Sequence, residues 1–141
     1  MSATGLDVFD TTLQKTHEWL QALMQEMGWE DRHRAYAAYR GVFHALRDRL
    51  SVDQAVHLAS QFPMLMRGFY YEGWHPANKP LRYRHREEFI SQVGQEVPGM
   101  ETAELERTAT AVFTVMNRHL PTGEVAKVKD DLPQEVRELW P

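Results

Sequence analysis

The sequence predicts an all-α protein made of two tandem four-helix repeats, about eight helices in all, packed into one helical domain. Two observations favour this fold. Apolar residues recur at three- and four-residue steps along most of the chain, which is the spacing that lines one face of a helix. The same order of apolar residues, helix ends and prolines then returns 70 residues later without a gap, which is typical of an internal repeat.

Four helices are expected in the first repeat. Helix 1 covers about 8–27 and ends at Gly28, and Asp31 caps helix 2, which covers about 32–50. Ser51 and Gln54 form a capping box that starts a short helix 3, which ends near 61. Pro63 suits the first turn of a short helix 4 that ends at Tyr71. The apolar stripe of helix 1 contains Phe9, Leu13, Leu20, Leu23 and Met27.

A loop and a second set of four helices follow. Two prolines, a glycine and an asparagine between 73 and 80 predict the loop. The 70-residue offset then predicts helices near 83–97, 102–119, 123–131 and 133–140, with Thr102 as a cap. The expected organisation is a single domain over 1–141, with repeat one at about 8–72, a loop at 73–81 and repeat two at about 82–141.

The repeat is visible residue by residue when 17–71 is laid on 87–141. The identical pairs are Glu18/Glu88, Gln25/Gln95, Glu26/Glu96, Val42/Val112, Phe43/Phe113, Leu50/Leu120, Pro63/Pro133 and Arg67/Arg137. We therefore expect the two stretches to superpose, with Phe43 and Phe113 both buried. The repeated charges further predict that Arg67 pairs with Glu18 or Glu26, and that Arg137 pairs with Glu88 or Glu96.

Size and composition are those of a globular protein. The chain has 141 residues, of which 43% are hydrophobic and 26% are charged, and it contains no cysteine. Disulfides, thiolate catalysis and cysteine-ligated metals are therefore excluded. No apolar run approaches the ~20 residues that span a bilayer, and the start lacks the pattern of a signal peptide. We expect a cytoplasmic protein that does not enter the membrane.

The net charge of -4 is unevenly distributed. Residues 32–50 contain five arginines and one aspartate, and residues 73–86 contain three arginines and one lysine, so each segment sums to +4. Such segments attract phosphate or an acidic partner surface. The overall acidic balance favours a simpler interpretation, in which Arg32, Arg34, Arg40, Arg47 and Arg49 form the solvated face of helix 2 and are paired with acids elsewhere in the fold.

The usual patterns of catalytic and metal sites are missing from the sequence. No two of the seven histidines lie three or four residues apart on one helix, and no Gly-rich phosphate loop or nucleophile elbow occurs. The adjacent acids Glu87-Glu88 and Asp130-Asp131 point to different helical faces and cannot share a proton. We therefore expect no catalytic residue, no metal and no cofactor, and an enzyme is the least favoured class.

Four aromatic residues lie within six positions between Phe69 and Trp74, in the stretch Arg67-Gly-Phe-Tyr-Tyr-Glu-Gly-Trp74. With the turns at Phe62-Pro63 and Leu132-Pro133, this stretch resembles the bacterial domain-of-unknown-function family numbered 2267 over essentially the whole chain. The resemblance implies an all-helical fold in small bacterial proteins. It implies no activity, cofactor or catalytic residue.

Residues 67–86, the aromatic-basic segment, have no counterpart for their loop in the other repeat. In one interpretation Tyr71 and Trp74 anchor the loop to the core. In the other the segment forms a binding site that consists of Arg67, Tyr71, Trp74, His75, Arg82, Arg84 and Arg86. The function that the sequence favours is a non-catalytic protein-interaction or scaffold module with a protein partner. The alternative is a small-molecule or nucleic-acid binder that uses this segment, with a small acidic ligand or a nucleic acid as its partner. Self-association stays open.

Overall fold

A computed structural model describes residues 2–141 of the chain, and this part is all helical, as the sequence predicts. The eight helices are α1 (Asp7–Met27), α2 (Arg32–Arg49), α3 (Val52–Ala59), α4 (Met64–Tyr71), α5 (Arg86–Gly94), α6 (Thr102–His119), α7 (Thr122–Asp130) and α8 (Gln134–Arg137). Between residues 2 and 141 no strand forms.

Most helix ends use the predicted residues. Gly28 ends α1 in the left-handed region at φ 70°, and the Asp31 side chain accepts a hydrogen bond of 2.9 Å from His33 N. The Ser51 hydroxyl accepts from Gln54 N at 3.3 Å, so half of the expected capping box forms.

Two predicted caps are wrong in detail. The Gln54 side chain does not return to Ser51 but donates to Glu124 of repeat two at 2.9 Å, because that buried carboxylate needs a donor. Thr102 is the first residue of α6 and follows the N-cap Glu101, which makes no capping bond through its side chain. The first and last helices of repeat two are also shorter than expected, since α5 covers only Arg86–Gly94 and α8 only Gln134–Arg137.

The helix bounds follow the 70-residue offset closely. The ranges 32–49 of α2 and 102–119 of α6 differ by 70 at both ends, and α3 and α4 begin 70 residues before α7 and α8. The first helices differ, because α5 begins at the equivalent of residue 16 whereas α1 begins at Asp7. Repeat one therefore carries an extension of α1 over residues 7–15.

The two repeats interlock. The second helix of each repeat, which we call its central helix, packs on the first helix of the other repeat, so that α2 contacts α5 and α6 contacts α1. The repeats also touch where α2 contacts α6 and where α3 contacts α7. Arg34 NH2 donates to both oxygens of Glu104 at 2.7 and 2.8 Å, and these two positions are 70 residues apart, as are Gln54 and Glu124. A residue that contacts its own equivalent lies near a twofold axis, which is the packing expected for an approximate twofold relation.

The core is aromatic in both halves, and Phe43 and Phe113 are both fully buried, as predicted. Phe43 stacks on Phe62 with ring centroids 4.5 Å apart, and Phe113 stacks on Trp140 at 4.1 Å. Phe62 lies in the turn between α3 and α4, and Trp140 follows α8, so each stacked pair fixes the end of its repeat on the core.

The predicted pairing of the repeated arginines is wrong. Arg67 NH2 donates to Phe62 O at 3.1 Å, and Arg137 NH2 donates to Leu132 O at 3.0 Å. The contact is repeated, but it lies within the α3–α4 pair and within the α7–α8 pair. The carbonyl before Pro63 or Pro133 follows a helix end and lacks an intrahelical donor, so it accepts from the arginine. Glu26 pairs instead with Arg118 at 2.9 Å.

Candidate functional site

The basic residues of α2 are mostly structural, and of the five predicted to be solvated only Arg32 is exposed. Arg34 and Arg40 do pair with acids elsewhere in the fold, as predicted. Arg47 is 5% exposed and donates to Tyr70 O and Glu72 O, both at 2.7 Å. His44 Nε2 donates to Phe69 O at 2.7 Å. The last carbonyls of α4 lack intrahelical donors and carry the negative end of the helix dipole, so they bind cationic and N–H groups from α2.

Two more arginines of α2 hold the aromatic-basic segment. Arg40 forms an ion pair with Glu72, which raises the pKa of the arginine and lowers the pKa of the carboxyl. Arg49 Nε donates to Tyr83 O at 2.9 Å, and its guanidinium lies 5.6 Å from the centre of the Tyr83 ring. The positive charge of α2 is therefore used to fix the segment that connects the repeats.

Tyr71 and Trp74 stack on each other with centroids 5.4 Å apart, and both are half-buried against the core. Burial also raises the pKa of the Tyr83 hydroxyl. Within residues 2–141, neither the Trp74 indole nitrogen nor the Tyr83 hydroxyl has a hydrogen-bond partner, although both atoms are buried. These contacts favour the interpretation of Tyr71 and Trp74 as anchors of the loop.

The remaining residues of the predicted site do not converge. His75, Arg82 and Arg84 are exposed, Arg67 is bound to backbone carbonyls, and Arg86 NH2 donates to Glu138 at 3.2 Å. Arg84 and Arg86 line two separate clefts. The clefts described below contain neither Tyr71 nor Trp74 nor Arg82.

One group of side chains has the spacing of a metal site. The ligand atoms of His85, Glu87 and Glu135 all lie within 4.8 Å of one another. The Glu135 carboxylate already accepts from Arg86 N at 3.0 Å and lies 3.1 Å from His85 Nδ1. These bonds raise the pKa of His85 and lower the pKa of Glu135. The group thus caps the start of α5, and nothing further indicates a metal there.

Glu124 is a buried carboxylate that sequence reasoning missed. It is 5% exposed at the contact between α3 and α7, where Gln54 Nε2 donates to it at 2.9 Å and His57 Nδ1 lies 2.5 Å away. Because its partners come from the other repeat, it joins the two repeats. A buried acid at this contact therefore has a structural explanation that requires no chemistry.

Exposed apolar side chains gather at the end of the molecule where α1 and α4 begin. In the described chain the large apolar residues that are 44–52% exposed are Leu6, Val8, Phe9, Val56, Met64 and Leu65. All except Val56 lie at the start of these two helices, and we call these five the α1–α4 apolar patch. Thr12 Oγ1 accepts a hydrogen bond of 2.9 Å from Leu65 N, which joins the two helix starts.

Phe9 belongs to the apolar stripe that the sequence predicts on helix 1, but it does not pack in the core, since it is 49% exposed. Phe9 belongs to the extension of α1, which precedes the part of the helix that has an equivalent in repeat two. The alignment of the repeats starts at residue 17, but the apolar stripe of helix 1 begins before it. That mismatch is the sequence signal for an exposed apolar stretch, because the extension of α1 has no equivalent in repeat two.

A cleft adjoins this patch between α1, α2 and α4, and we call it the repeat-one cleft. Its volume is about 490 Å³. Leu13, Leu20 and Phe69 supply its apolar lining. The side chains at its polar edge are His17, Arg32, His33 and Glu72.

The described helices give no sign of a membrane span, since none of them in residues 2–141 is both long and apolar enough to cross a bilayer. Comparison with curated proteins finds no match. A family model described as an uncharacterised conserved protein matches residues 16–139, which is nearly the whole chain. The chain therefore belongs to the family of uncharacterised conserved proteins called DUF2267.

Proposed function

We propose that this protein is a non-catalytic interaction module that binds another protein through the α1–α4 apolar patch. The observation that carries the proposal is the gathering of five exposed large apolar side chains at one end of the chain. Contiguous apolar surface on a soluble domain marks an interaction site more often than scattered apolar residues do.

The α1 and α4 parts of the patch lie side by side because the two helix starts are joined. Val8 and Thr12, like Phe9 and Leu13, are four residues apart on α1 and therefore share a face. The bond between Thr12 and Leu65 brings the start of α4 to this same face. A partner that lies across α1 thus also meets Met64 and Leu65.

The charges beside the patch indicate the chemistry of the partner. Asp7 and Asp10 are in the first turn of α1, and the Ser2 and Thr4 hydroxyls lower the pKa of Asp10 by donating to it. The Asp10 carboxylate is therefore ionised at neutral pH. The complementary partner presents an apolar face with basic side chains at its rim.

A non-catalytic role is supported by what the titratable residues already do. His44 caps α4, His85 and Glu135 cap α5, and Glu124 joins α3 to α7. A catalytic site needs converging groups that are free to exchange protons with a substrate, and these groups are engaged in holding the fold.

The test compares the Phe9→Ser, Met64→Ser double variant with a Val56→Ser control, whose exposed apolar residue lies on α3 outside the patch. Tagged proteins are used to capture partners from extract of the native host, and the captured proteins are quantified by mass spectrometry. Truncating central anchors of an interface costs about 2 kcal/mol, or roughly thirtyfold in affinity. We expect the patch variant to lose its partner and the control to keep it, with equal melting temperatures. Retention by both would contradict the proposal.

A second candidate is an acidic ligand on the aromatic-basic segment. Arg82 and Arg84 are exposed, and no carboxylate of residues 2–141 lies within ion-pair distance of either. The Arg82→Ala, Arg84→Ala variant tests it in the same capture experiment. If this variant alone loses its partner or bound nucleic acid, and the loss depends strongly on salt, the basic segment is the site. Light scattering of the purified chain detects self-association through either surface.

A further inference from the structure

The repeat-one cleft has an equivalent in repeat two, and the comparison shows what is special about the first. The repeat-two cleft has a volume of about 940 Å³ and is lined by Arg86, Ala103, Glu106, Glu138 and Leu139 among others. Seventy residues earlier these positions are Thr16, His33, Tyr36, Gly68 and Phe69, and all five line the repeat-one cleft. The two clefts therefore occupy equivalent places between the first, second and fourth helices.

The residues at these places differ in character. In repeat two, Arg86 and Glu138 form an ion pair of 3.2 Å in the cleft. In repeat one the equivalents of that pair are Thr16 and Gly68, a small residue and a glycine. A Cβ atom added to Gly68 would meet nothing within 4 Å. The space that charged side chains use in repeat two is open and apolar in repeat one.

Thr16 supplies a second and independent observation. It is 7% exposed, yet its hydroxyl has no hydrogen-bond partner in the described chain. A helical threonine usually donates to the carbonyl four residues earlier, as Thr108 does to Glu104 O at 2.8 Å and Thr114 to Thr110 O at 2.9 Å. Thr16 makes no such bond although its side chain lines the cleft, so its hydroxyl is available to a ligand once it turns to another χ1 rotamer.

The edge of the cleft is basic. Arg32, His17 and His33 are exposed there, and the one carboxylate at the edge, Glu72, is already paired with Arg40. No ion pair holds Arg32 among residues 2–141. The cleft therefore combines an apolar body with one unpaired hydroxyl and an unpaired guanidinium, a combination that suits an amphipathic anion.

We propose that the repeat-one cleft binds a small aromatic acid whose ring carries a hydrogen-bonding group. The ring lies against Leu20 and Phe69, the ring substituent bonds with Thr16, and the carboxylate meets Arg32. This site goes beyond the proposed protein interaction and does not depend on it.

The probe is 3-(4-hydroxyphenyl)propionate, titrated into the purified full-length chain by calorimetry and followed by backbone amide NMR. Two analogues serve as controls: 3-phenylpropionate lacks the hydroxyl, and 3-(4-hydroxyphenyl)propan-1-ol lacks the carboxylate. We expect the probe to shift amides of α1, α2 and α4, and each analogue to bind about tenfold more weakly.

Variants assign each interaction to its residue. Thr16→Val removes the advantage of the probe over 3-phenylpropionate, and Arg32→Gln removes its advantage over the alcohol. Gly68→Glu installs the residue of repeat two and abolishes binding, while Val56→Ser, on α3 and away from the cleft, leaves it unchanged. Amide spectra confirm that each variant is folded. No binding by the wild type at millimolar probe, or undiminished binding by Gly68→Glu, would overturn the proposal.

Discussion

At the scale of single residues, buried cations fix the end of α4. Arg47 is almost fully buried, and its guanidinium binds two carbonyls that have no helical partner. His44 binds a third. Both side chains come from α2, so the central helix of repeat one holds the point at which the chain leaves α4 for the connecting segment.

Arg47→Met should lower the free energy of unfolding by about 3 kcal/mol, because the apolar side chain leaves Tyr70 O and Glu72 O buried without donors. Denaturant unfolding followed by circular dichroism measures the loss. Arg84→Met is the matched control, since Arg84 is exposed, and it should change the stability by less than about 0.5 kcal/mol. Equal losses in the two variants would show that Arg47 does not hold α4.

Trp74→Ala should cost about 3 kcal/mol of stability, because the ring stacks on Tyr71 and packs against the core. The sequence alone left open whether Trp74 anchors the loop or contacts a partner. Thermal melting of Trp74→Ala beside His75→Ala, a change at its exposed neighbour, distinguishes the two roles. A Trp74 variant that melts like the wild type but fails to capture its partner would restore the contact role.

At the scale of elements, the two repeats come close together where α2 packs on α5. A Cβ atom added to Gly41 would lie 2.7 Å from Val93 O, so the glycine allows the two helix backbones to meet. Gly68 is also helical but has open space around it. Both glycines therefore lie within a helix, but only Gly41 has the backbone of a neighbouring helix close to it.

Gly41→Ala should destabilise the protein although alanine is the better helix former, whereas Gly68→Ala should stabilise it by up to about 1 kcal/mol. The opposite signs follow from the backbone contact at Gly41 and the open cleft at Gly68. Paired denaturant titrations measure both changes. Stabilisation by Gly41→Ala would mean that α2 and α5 do not approach this closely in solution.

Periodicity and caps in the sequence predict the helices well, since α2 and α6 begin and end within one residue of the expected bounds. It is harder to predict which helices pack on each other, because an apolar stripe such as that of Phe9 and Leu13 does not reveal which helix will pack on it. The buried role of Arg47 was missed for a related reason. A cation looks solvated in sequence unless one knows that a helix end lies opposite it.

At the scale of the whole molecule, the interlocking of the repeats makes one folding unit. The central helix of each repeat packs on the first helix of the other repeat as well as on that of its own, since α2 contacts α5 and α1, and α6 contacts α1 and α5. The matching helix bounds and the contacts between equivalent residues support the predicted superposition of 17–71 on 87–141.

We expect a single unfolding transition in which helix content and tryptophan fluorescence change together, because the loss of either repeat exposes the core of the other. Trp19 and Trp140 are buried in repeat one and repeat two, so the fluorescence responds to the unfolding of either repeat. Two resolved transitions, or a stable fragment that contains only repeat one, would show that the repeats fold independently.

The candidate site could be predicted only in part from the sequence. The loop within residues 67–86 has no counterpart in the other repeat, and for that reason the sequence favours a binding site there. In the structure much of that segment anchors the chain instead. The α1–α4 apolar patch arises from another asymmetry, the longer α1, which becomes visible only when the helix starts are known. Exposure depends on what covers a residue, and a single sequence does not contain that information.

The proposed role of the patch is tested most directly by hydroxyl-radical footprinting of the chain in extract of its native host and in buffer. Met64 and Phe9 are 44% and 49% exposed, so radicals oxidise both side chains in the free protein. Mass spectrometry compares their oxidation with that of Tyr83 and His75 in the connecting segment. We predict that the extract protects Met64 and Phe9 and leaves the connecting segment unchanged. Protection confined to residues 74–86, with Met64 oxidised as in buffer, would contradict the proposed interaction surface.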